Sequence, residues 1–404
     1  MIKTYIKRQK YLSKIKPYID KDIIKVLVGQ RRVGKSYMLF QVMDKIKETD
    51  SSANIIYIDK ELHEFEKISD HRSLLKYVED KSKESNKRSF LFIDEIQDIE
   101  NFEKALRSLK SSGKFDIYCT GSNANLLSGE LATYLSGRYI EIKINSLSYS
   151  EFLTFHKLEE CEESFLKYIK YGGLPYLMHL ELSDAIVYDY LKNVVNTILL
   201  KDIVARFNIR SVAFLERLVE YIADNVGSLV SAKKISDFLK SQKINMSANV
   251  VLNYLSNLCS TFFIYKVQRQ DVKGKKIFEI NDKYYFEDLG LKHSIINYNQ
   301  VDINKVLENL VFNHLIADGF DVKVGQLDKK EIDFVGEKNG EKIYVQVAYR
   351  ITEENREREF GNLLLIPDNH PKVVVSLDEL IGETSFKGIR HINLRKFLME
   401  SVDA

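Results

Sequence analysis

Apolar and polar positions fall into short alternating blocks over the first third of the chain. Residues 23–28 are a β-branched and aliphatic run that ends at glycine. Residues 37–47 then carry Met38, Leu39, Val42, Met43 and Ile46 at the spacing of one helix face. This predicts strand, loop, helix. Further short apolar runs at 54–59, 90–94, 115–120 and 139–144 are separated by segments of crossover length. The pattern predicts an α/β fold with a parallel sheet over residues 23–145.

Beyond the sheet the periodicity changes. Ser148 and Glu151 have the spacing of a capping box. They open a mostly helical region to about residue 210, with a turn at Gly172-Gly173-Leu174-Pro175. Helical stretches at 214–223, 232–239 and 248–259 precede strand-like runs at 262–267 and 276–280, the order of a winged helix. A helix over 306–318 and strands at 321–324, 331–337, 342–348 and 372–376 predict a second, smaller α/β domain. The expected organisation is a basic lead (1–22), a core (23–147), a helical lid or connector (148–210), a winged-helix domain (211–295) and a C-terminal α/β domain (300–404).

Composition narrows the class. A chain of 404 residues has room for about two to four domains. Lysine plus arginine (60) nearly balances aspartate plus glutamate (58), so the chain is no general polycation and any basic surface is local. Cys119, Cys161 and Cys259 lie far apart, which excludes a cysteine-based zinc site and argues against a disulfide framework. A reducing cytoplasm fits. No apolar run of signal-peptide length follows the basic first 25 residues. The longest uncharged stretch, 244–265, is broken by Asn245, Ser247, Asn249, Asn253, Ser256 and Asn257, too polar for a bilayer span. A cytoplasmic protein with no membrane segment is expected.

Candidate chemistry sits at the strand ends. Gly29-Gln30-Arg31-Arg32-Val33-Gly34-Lys35-Ser36 satisfies the phosphate-loop pattern between a strand and a helix. The glycines let backbone N–H groups close around phosphates, Lys35 reaches the β- and γ-phosphates, and the Ser36 hydroxyl can hold Mg²⁺. Asp94, ending an apolar strand, is placed to face the hydrated Mg²⁺, and Glu95 to polarise an attacking water. Ser122 and Asn123, after the next strand, could position that water or sense the γ-phosphate; a simple turn is the alternative. Arg138 could stabilise transition-state charge in cis or from a neighbouring subunit, or be a surface arginine. No Asn-Lys-x-Asp string is present to read guanine, so ATP is expected rather than GTP.

These residues resemble a family of bacterial and archaeal ATP-binding proteins that join an AAA-type ATPase domain to a C-terminal domain of unknown function 4143. The similarity includes Ile6-Lys7-Arg8-Gln9-Lys10-Tyr11-Leu12, the phosphate loop with its arginine pair, Asp94-Glu95-Ile96-Gln97 and Thr120-Gly121-Ser122. It continues through Leu135-Ser136-Gly137-Arg138-Tyr139, Leu147-Ser148-Tyr149-Ser150-Glu151-Phe152, Tyr171-Gly172-Gly173-Leu174-Pro175 and Asp202-Ile203-Val204-Ala205-Arg206-Phe207. The resemblance implies a P-loop NTPase sheet, a winged-helix segment and a nuclease-like C-terminal fold.

Two further expectations concern the later domains. The wing carries Lys266, Arg269, Lys273, Lys275 and Lys276 against Asp271, a local basic excess able to contact DNA phosphates. Glu308, Asp333 and the strand carrying Tyr344, Gln346 and Ala348 resemble the PD-(D/E)xK nuclease plan. Gln346 and Ala348 stand where that plan wants an acid and a lysine, and strand alternation puts both on the face of Tyr344. Glu331, on the face of Asp333, could partly substitute. The leading expectation is an Mg²⁺-dependent ATPase whose nucleotide state moves the winged-helix and degenerate nuclease-like domains relative to the core, with DNA a candidate partner and nuclease chemistry not expected. The rivals are an ATP-regulated endonuclease and an ATP-occupied scaffold or DNA-binding regulator with negligible turnover.

Overall fold

The computed structural model describes residues 5–83, 88–124, 135, 137–273, 277–379 and 384–402, so Ser136, Lys275 and Lys276 lie outside the described residues. The chain forms two compact units, Met1–Asn145 with Ser260–Phe262, and Ser146–Cys259 with Phe263–Ala404.

In the first unit β1 (Ile24–Val28), β2 (Ile55–Asp59), β3 (Ser89–Asp94), β4 (Phe115–Gly121) and β5 (Tyr139–Lys143) form a five-stranded sheet in the order β2-β3-β4-β1-β5. Every pairing is parallel. Helices α1 (Gln9–Ile15), α2 (Lys35–Thr49), α3 (His71–Ser82) and α4 (Phe102–Ser111) accompany it. β1 and β4 are buried along their whole length, which is why they read as unbroken apolar runs rather than alternating ones.

Two charged residues interrupt those runs. Lys25 on β1 and Asp116 on β4 are fully buried and form an ion pair. Asp116 also accepts from the Asp20 N–H and the Tyr118 hydroxyl, each at 2.8 Å, while Lys25 Nζ donates to Lys21 O at 3.1 Å. Burial pushes the Lys25 ammonium below the ordinary lysine range, and Asp116 works against that shift. The pair lies at the end of the strands away from the phosphate loop and ties the chain entering β1 to β4.

The second unit opens with α5 (Tyr149–His156), whose capping box is formed as its spacing predicts: Ser148 N donates to Glu151 Oε2 at 3.0 Å, and Glu151 N to Ser148 Oγ at 3.3 Å. α6 (Glu162–Tyr171) and α7 (Asp184–Thr197) follow, and α7 runs on into a π-helical segment, Ile198–Ala205. α8 (Val212–Asp224), α9 (Ala232–Ser241) and α10 (Ala248–Ser260) precede the hairpin β6 (Ile264–Asp271) and β7 (Ile277–Phe286), the expected helix–helix–helix–hairpin order. That hairpin does not stand alone. β6 pairs in parallel with β8 (Asp321–Leu327), from Arg269↔Val324 to Asp271↔Gln326. With β9 (Lys330–Lys338), β10 (Glu341–Val347), β11 (Lys372–Ser376), β12 (Thr384–Phe386) and β13 (Ile389–Asn393) it completes an eight-stranded mixed sheet, β12-β13-β11-β10-β9-β8-β6-β7.

Helices α11 (Leu289–Ile296), α12 (Ile303–Asp318) and α13 (Glu353–Leu364) also belong to this unit. Buried Asn309 of α12 bonds both backbone groups of Phe286 at 2.8 Å, so β7 ends with its polar groups satisfied. Among the described residues no helix is long and apolar enough to cross a membrane.

The Gly172-Gly173 turn is dictated by close approach. A Cβ on Gly172, at φ 77°, would lie 2.2 Å from Asp288 Oδ1, and one on Gly173 2.5 Å from Leu147 O. Asp288, which caps α11 through Leu291 N at 3.1 Å, also accepts from Gly173 N at 2.7 Å. Burial raises its carboxyl to about 6, against the lowering effect of those backbone N–H groups.

Two expected outcomes follow from these buried charges. Lys25→Met strands Asp116 without its cation and is expected to cost about 3–5 kcal/mol in urea denaturation, whereas Lys25→Met with Asp116→Leu costs far less than the two single changes summed. Additive losses would show that the ion pair is not the coupling. The folded Asp288 carboxyl holds its proton more tightly than in the unfolded chain, where 3.8 applies. Its contribution is therefore present below about pH 4 and lost as pH rises through about 6, on the order of 2–3 kcal/mol. Denaturation midpoints of wild type and Asp288→Asn across that window should diverge by this slope; parallel curves would refute it.

Candidate functional site

β1 ends at Val28 and the chain turns at once through Gly29, at φ 153°, where a Cβ would lie 2.1 Å from Ile144 O. Arg32 (φ 70°) and Gly34 (φ 97°) are also left-handed, and α2 starts at the next residue with no side chain capping it. The first N–H groups of α2 thus face out of the helix end, as an anion site requires. Lys35 is buried, and its Nζ donates to Gly29 O and Gln30 O, both at 3.0 Å, closing the loop on itself. Gln30 is fully buried, and neither of its amide atoms has a hydrogen-bond partner among the described residues. Arg31 Nη1 meets Glu61 Oε1 at 3.1 Å, and the Arg32 side chain is exposed. Val33 is buried, and its carbonyl is held by Arg8 Nη1 at 3.1 Å.

The acids arrive from the neighbouring strands. β3 ends at buried Asp94, whose carboxylate accepts from the Ser36 and Thr120 hydroxyls. Burial pushes Asp94 above the ordinary carboxylate range, and those two hydroxyls resist the shift. Glu95 follows in a left-handed conformation (φ 54°), with its N–H bonded to Thr120 Oγ1 at 2.9 Å. Its carboxylate accepts from Gln97 Nε2 and stands 3.8 Å from Lys35 Nζ. Burial alone would raise Glu95; Lys35, then Gln97 and Arg31, outweigh it and hold the carboxyl below its usual value. Two adjacent acids are thereby driven in opposite directions.

Not every expected residue joins them. Ser122 follows β4 at the loop end of the sheet and lies beside Glu95, but its buried hydroxyl makes no bond of ordinary geometry; half-buried Asn123 comes next. Arg138 is elsewhere. Its carbonyl accepts from Ile24 N at 2.9 Å, at the start of β1, whereas Gly29 follows the end of β1. One strand length, about 16 Å, separates them. Of the alternatives open for Arg138, this placement speaks against the cis role: its backbone lies at the end of the parallel sheet opposite its own phosphate loop. Thr120 and Gln97 were not expected as site residues, yet Thr120 bridges both acids and Gln97 holds Glu95.

In the second unit Glu308 of α12 and Glu331 and Asp333 of β9 do come together, around a cation from β7. Lys283 Nζ lies 3.2 Å from Glu308 Oε2 and 2.8 Å from Glu331 Oε1, and the Tyr285 hydroxyl donates to Glu308 at 3.1 Å. Asp333 accepts from Val347 N at 2.8 Å. Burial raises Glu308 and Asp333, while Lys283 is raised because the three carboxylates outweigh its own burial. Tyr344 packs with Phe360 and Leu363 of α13, and Gln346 Nε2 bonds Glu359 Oε2 of the same helix at 3.3 Å. Among the described residues no three His, Cys, Asp or Glu side chains are grouped to hold a metal. The described cations of the basic hairpin also have partners: Lys266 pairs with Asp282 of β7 at 3.0 Å, while Lys273 meets Asp328 at 2.9 Å and Arg269 meets Gln326 of β8 at 3.3 Å, both outside the hairpin.

Comparison with known proteins agrees with this geometry. The family model described as an AAA domain matches residues 21–153. The region beyond it matches the model of domain of unknown function 8612, over residues 162–302, and that match does not carry the expected nuclease-like domain 4143. An uncharacterized protein of Haemophilus influenzae is 37% identical over 405 residues, covering 99% of this chain and 100% of the relative. One from Methanocaldococcus jannaschii is 32% identical over 360 residues, 83% of this chain and 77% of that protein. Among solved structures, the Walker-type ATPase of Pyrococcus abyssi covers 72% of this chain and 96% of its own at TM-score 0.50 and 16% identity, a likeness of fold. With such identity along its full length the chain belongs to the family of the Haemophilus protein, and within it residues 21–153 are an AAA domain on a P-loop NTPase fold.

Proposed function

We propose that the protein binds ATP with Mg²⁺ and hydrolyses it to ADP and phosphate. The observation that carries this reading is the convergence of Lys35, Ser36, Asp94 and Glu95 where β1 and β3 end. Ser36 and Asp94 are hard oxygen donors already joined to each other, one hydroxyl and one carboxylate, a set that suits Mg²⁺ completed by water and phosphate oxygens. Mg²⁺, when bound there, neutralises charge on the phosphate oxygens. The Gly29–Ser36 backbone and the α2 N-terminus take the phosphates, and Lys35 exchanges its loop carbonyls for their oxygens.

That exchange also primes the base. Lys35 is the main group holding Glu95 low; once phosphates engage Lys35, the Glu95 carboxylate loses its cation and becomes more basic. As a water oxygen bonds to the γ-phosphorus, the bond to the β–γ bridging oxygen breaks, ADP leaves with that electron pair, and Glu95 accepts the water proton. Gln97 and Thr120 keep the carboxylate and its backbone in place. Arg138 would reach phosphates only from another copy of the chain. Nuclease chemistry and DNA contact through the hairpin have less support, because Lys283 already sits among the acids and the described hairpin cations have partners.

Lys35→Ala is expected to abolish high-affinity ATP binding, while Glu95→Gln keeps binding and lowers hydrolysis by about 10²–10⁴-fold. Equal hydrolysis rates in wild type and Glu95→Gln, measured as phosphate release, would remove Glu95 as the base. Absence of turnover in a wild type that binds ATP tightly would favour the scaffold reading. In the same preparations, no DNA cleavage is expected in Mg²⁺ or Mn²⁺. Cleavage that disappears in Asp333→Ala with ATP hydrolysis retained would instead establish an endonuclease.

A further inference from the structure

The lead before β1 carries a residue built into the phosphate loop from behind. Arg8 is 3% exposed. Its Nη1 donates to Val33 O at 3.1 Å, inside the loop, and to Asn145 O at 2.9 Å, where the first unit ends. The guanidinium carbon lies 4.5 Å from the centroid of the Tyr11 ring, and the Tyr11 hydroxyl accepts from Asn145 N at 3.1 Å. The lead is also fastened to α2: Arg8 N donates to Gln41 Oε1 at 2.9 Å, and Gln41 Nε2 to Ile6 O at 3.3 Å. Lys7 pairs with Glu48 at 3.4 Å, and the Tyr5 hydroxyl bonds Asp44.

The consequence is geometric. A planar trans peptide points its C=O and the following N–H in opposite directions. With the Val33 carbonyl drawn to Arg8, the Gly34 N–H points away from Arg8. Gly34, left-handed at φ 97°, immediately precedes α2, where loop amides form an anion nest. We propose that Arg8 is a positioning residue for the nucleotide phosphates: it fixes the Val33–Gly34 peptide so that the Gly34 N–H is presented to them. This rests on the nucleotide-binding reading above. The guanidinium suits the task because its Nη1 holds both carbonyls while the flat group lies on an aromatic ring, a stacking that an ammonium on a lysine stem does not reproduce.

The test is an equilibrium titration of full-length protein with ATP. Arg8→Ala is expected to weaken ATP by about tenfold or more, the worth of one charge-assisted contact, and added guanidinium ion to restore several-fold of that loss. Arg8→Lys should fall between alanine and wild type. Tyr11→Phe removes the hydroxyl bonded to Asn145 N but leaves the Val33 carbonyl alone, and should stay within about twofold of wild type. Wild-type affinity in Arg8→Ala, no gain from guanidinium, or an equal loss in Tyr11→Phe would each overturn the proposal. If Arg8→Ala does not fold, unchanged ATP affinity in Arg8→Lys overturns it and a loss there, with Tyr11→Phe unaffected, supports it. A wild type that binds no ATP would fail the nucleotide reading itself, before Arg8 is in question.

Discussion

A loop that cradles phosphates must keep its N–H groups free for the ligand, so its own shape has to be held through its carbonyls. This constraint organises the first unit. Lys35 holds the carbonyls of Gly29 and Gln30, Arg8 holds that of Val33, and Gly29 presses so closely on Ile144 O that no Cβ fits. The lead, the phosphate loop and the chain after β5 are therefore one bonded assembly at the end of β1. The strand beneath is fixed at its other end by Lys25 and Asp116, so the loop is mounted on a strand anchored at both ends.

The same small space separates two carboxylates by environment alone. Asp94 is buried, which favours its proton against the two hydroxyls that donate to it; Glu95 is equally enclosed but faces Lys35, which favours its charge. In the proposed reading, phosphates take over the lysine that faces Glu95, while Mg²⁺ is held by Asp94 and the Ser36 hydroxyl already bonded to it. The left-handed backbone at Glu95, unusual for a residue with a Cβ, is sustained by the Thr120 bond to its N–H.

Much of the core was legible because its signals are local. A buried parallel strand is a continuous apolar run, and the loop and the Asp94-Glu95 pair stand directly after such runs. The place of Arg138 was left open by the sequence and follows only from the sheet: in a parallel sheet a residue preceding a strand sits at the opposite end from residues following one, which sets the Arg138 backbone, before β5, away from Gly29, after β1. What could not be read were non-local partnerships. Nothing near residues 264–271 announces that β6 pairs with β8 more than fifty residues later, nor does the string around Lys283 show that it completes a cluster with Glu308 and Glu331. Arg8 was hidden for the same reason, as one basic residue in a basic lead whose partners lie 25 and 137 residues away.

Lys283 also changes the meaning of the C-terminal acids. A metal site keeps carboxylates ionised and converging on empty space; here the space holds an ammonium attached to β7, and burial favours protons on Glu308 and Asp333. The charge of these acids is balanced from inside, by one lysine. A divalent ion would have to displace that ammonium, and would leave Lys283, itself almost wholly buried, without partners. Because Lys283 lies on β7 while its partners lie on α12 and β9, the cluster joins the hairpin that follows the three helices to the sheet behind it. It bonds together segments that lie far apart in sequence.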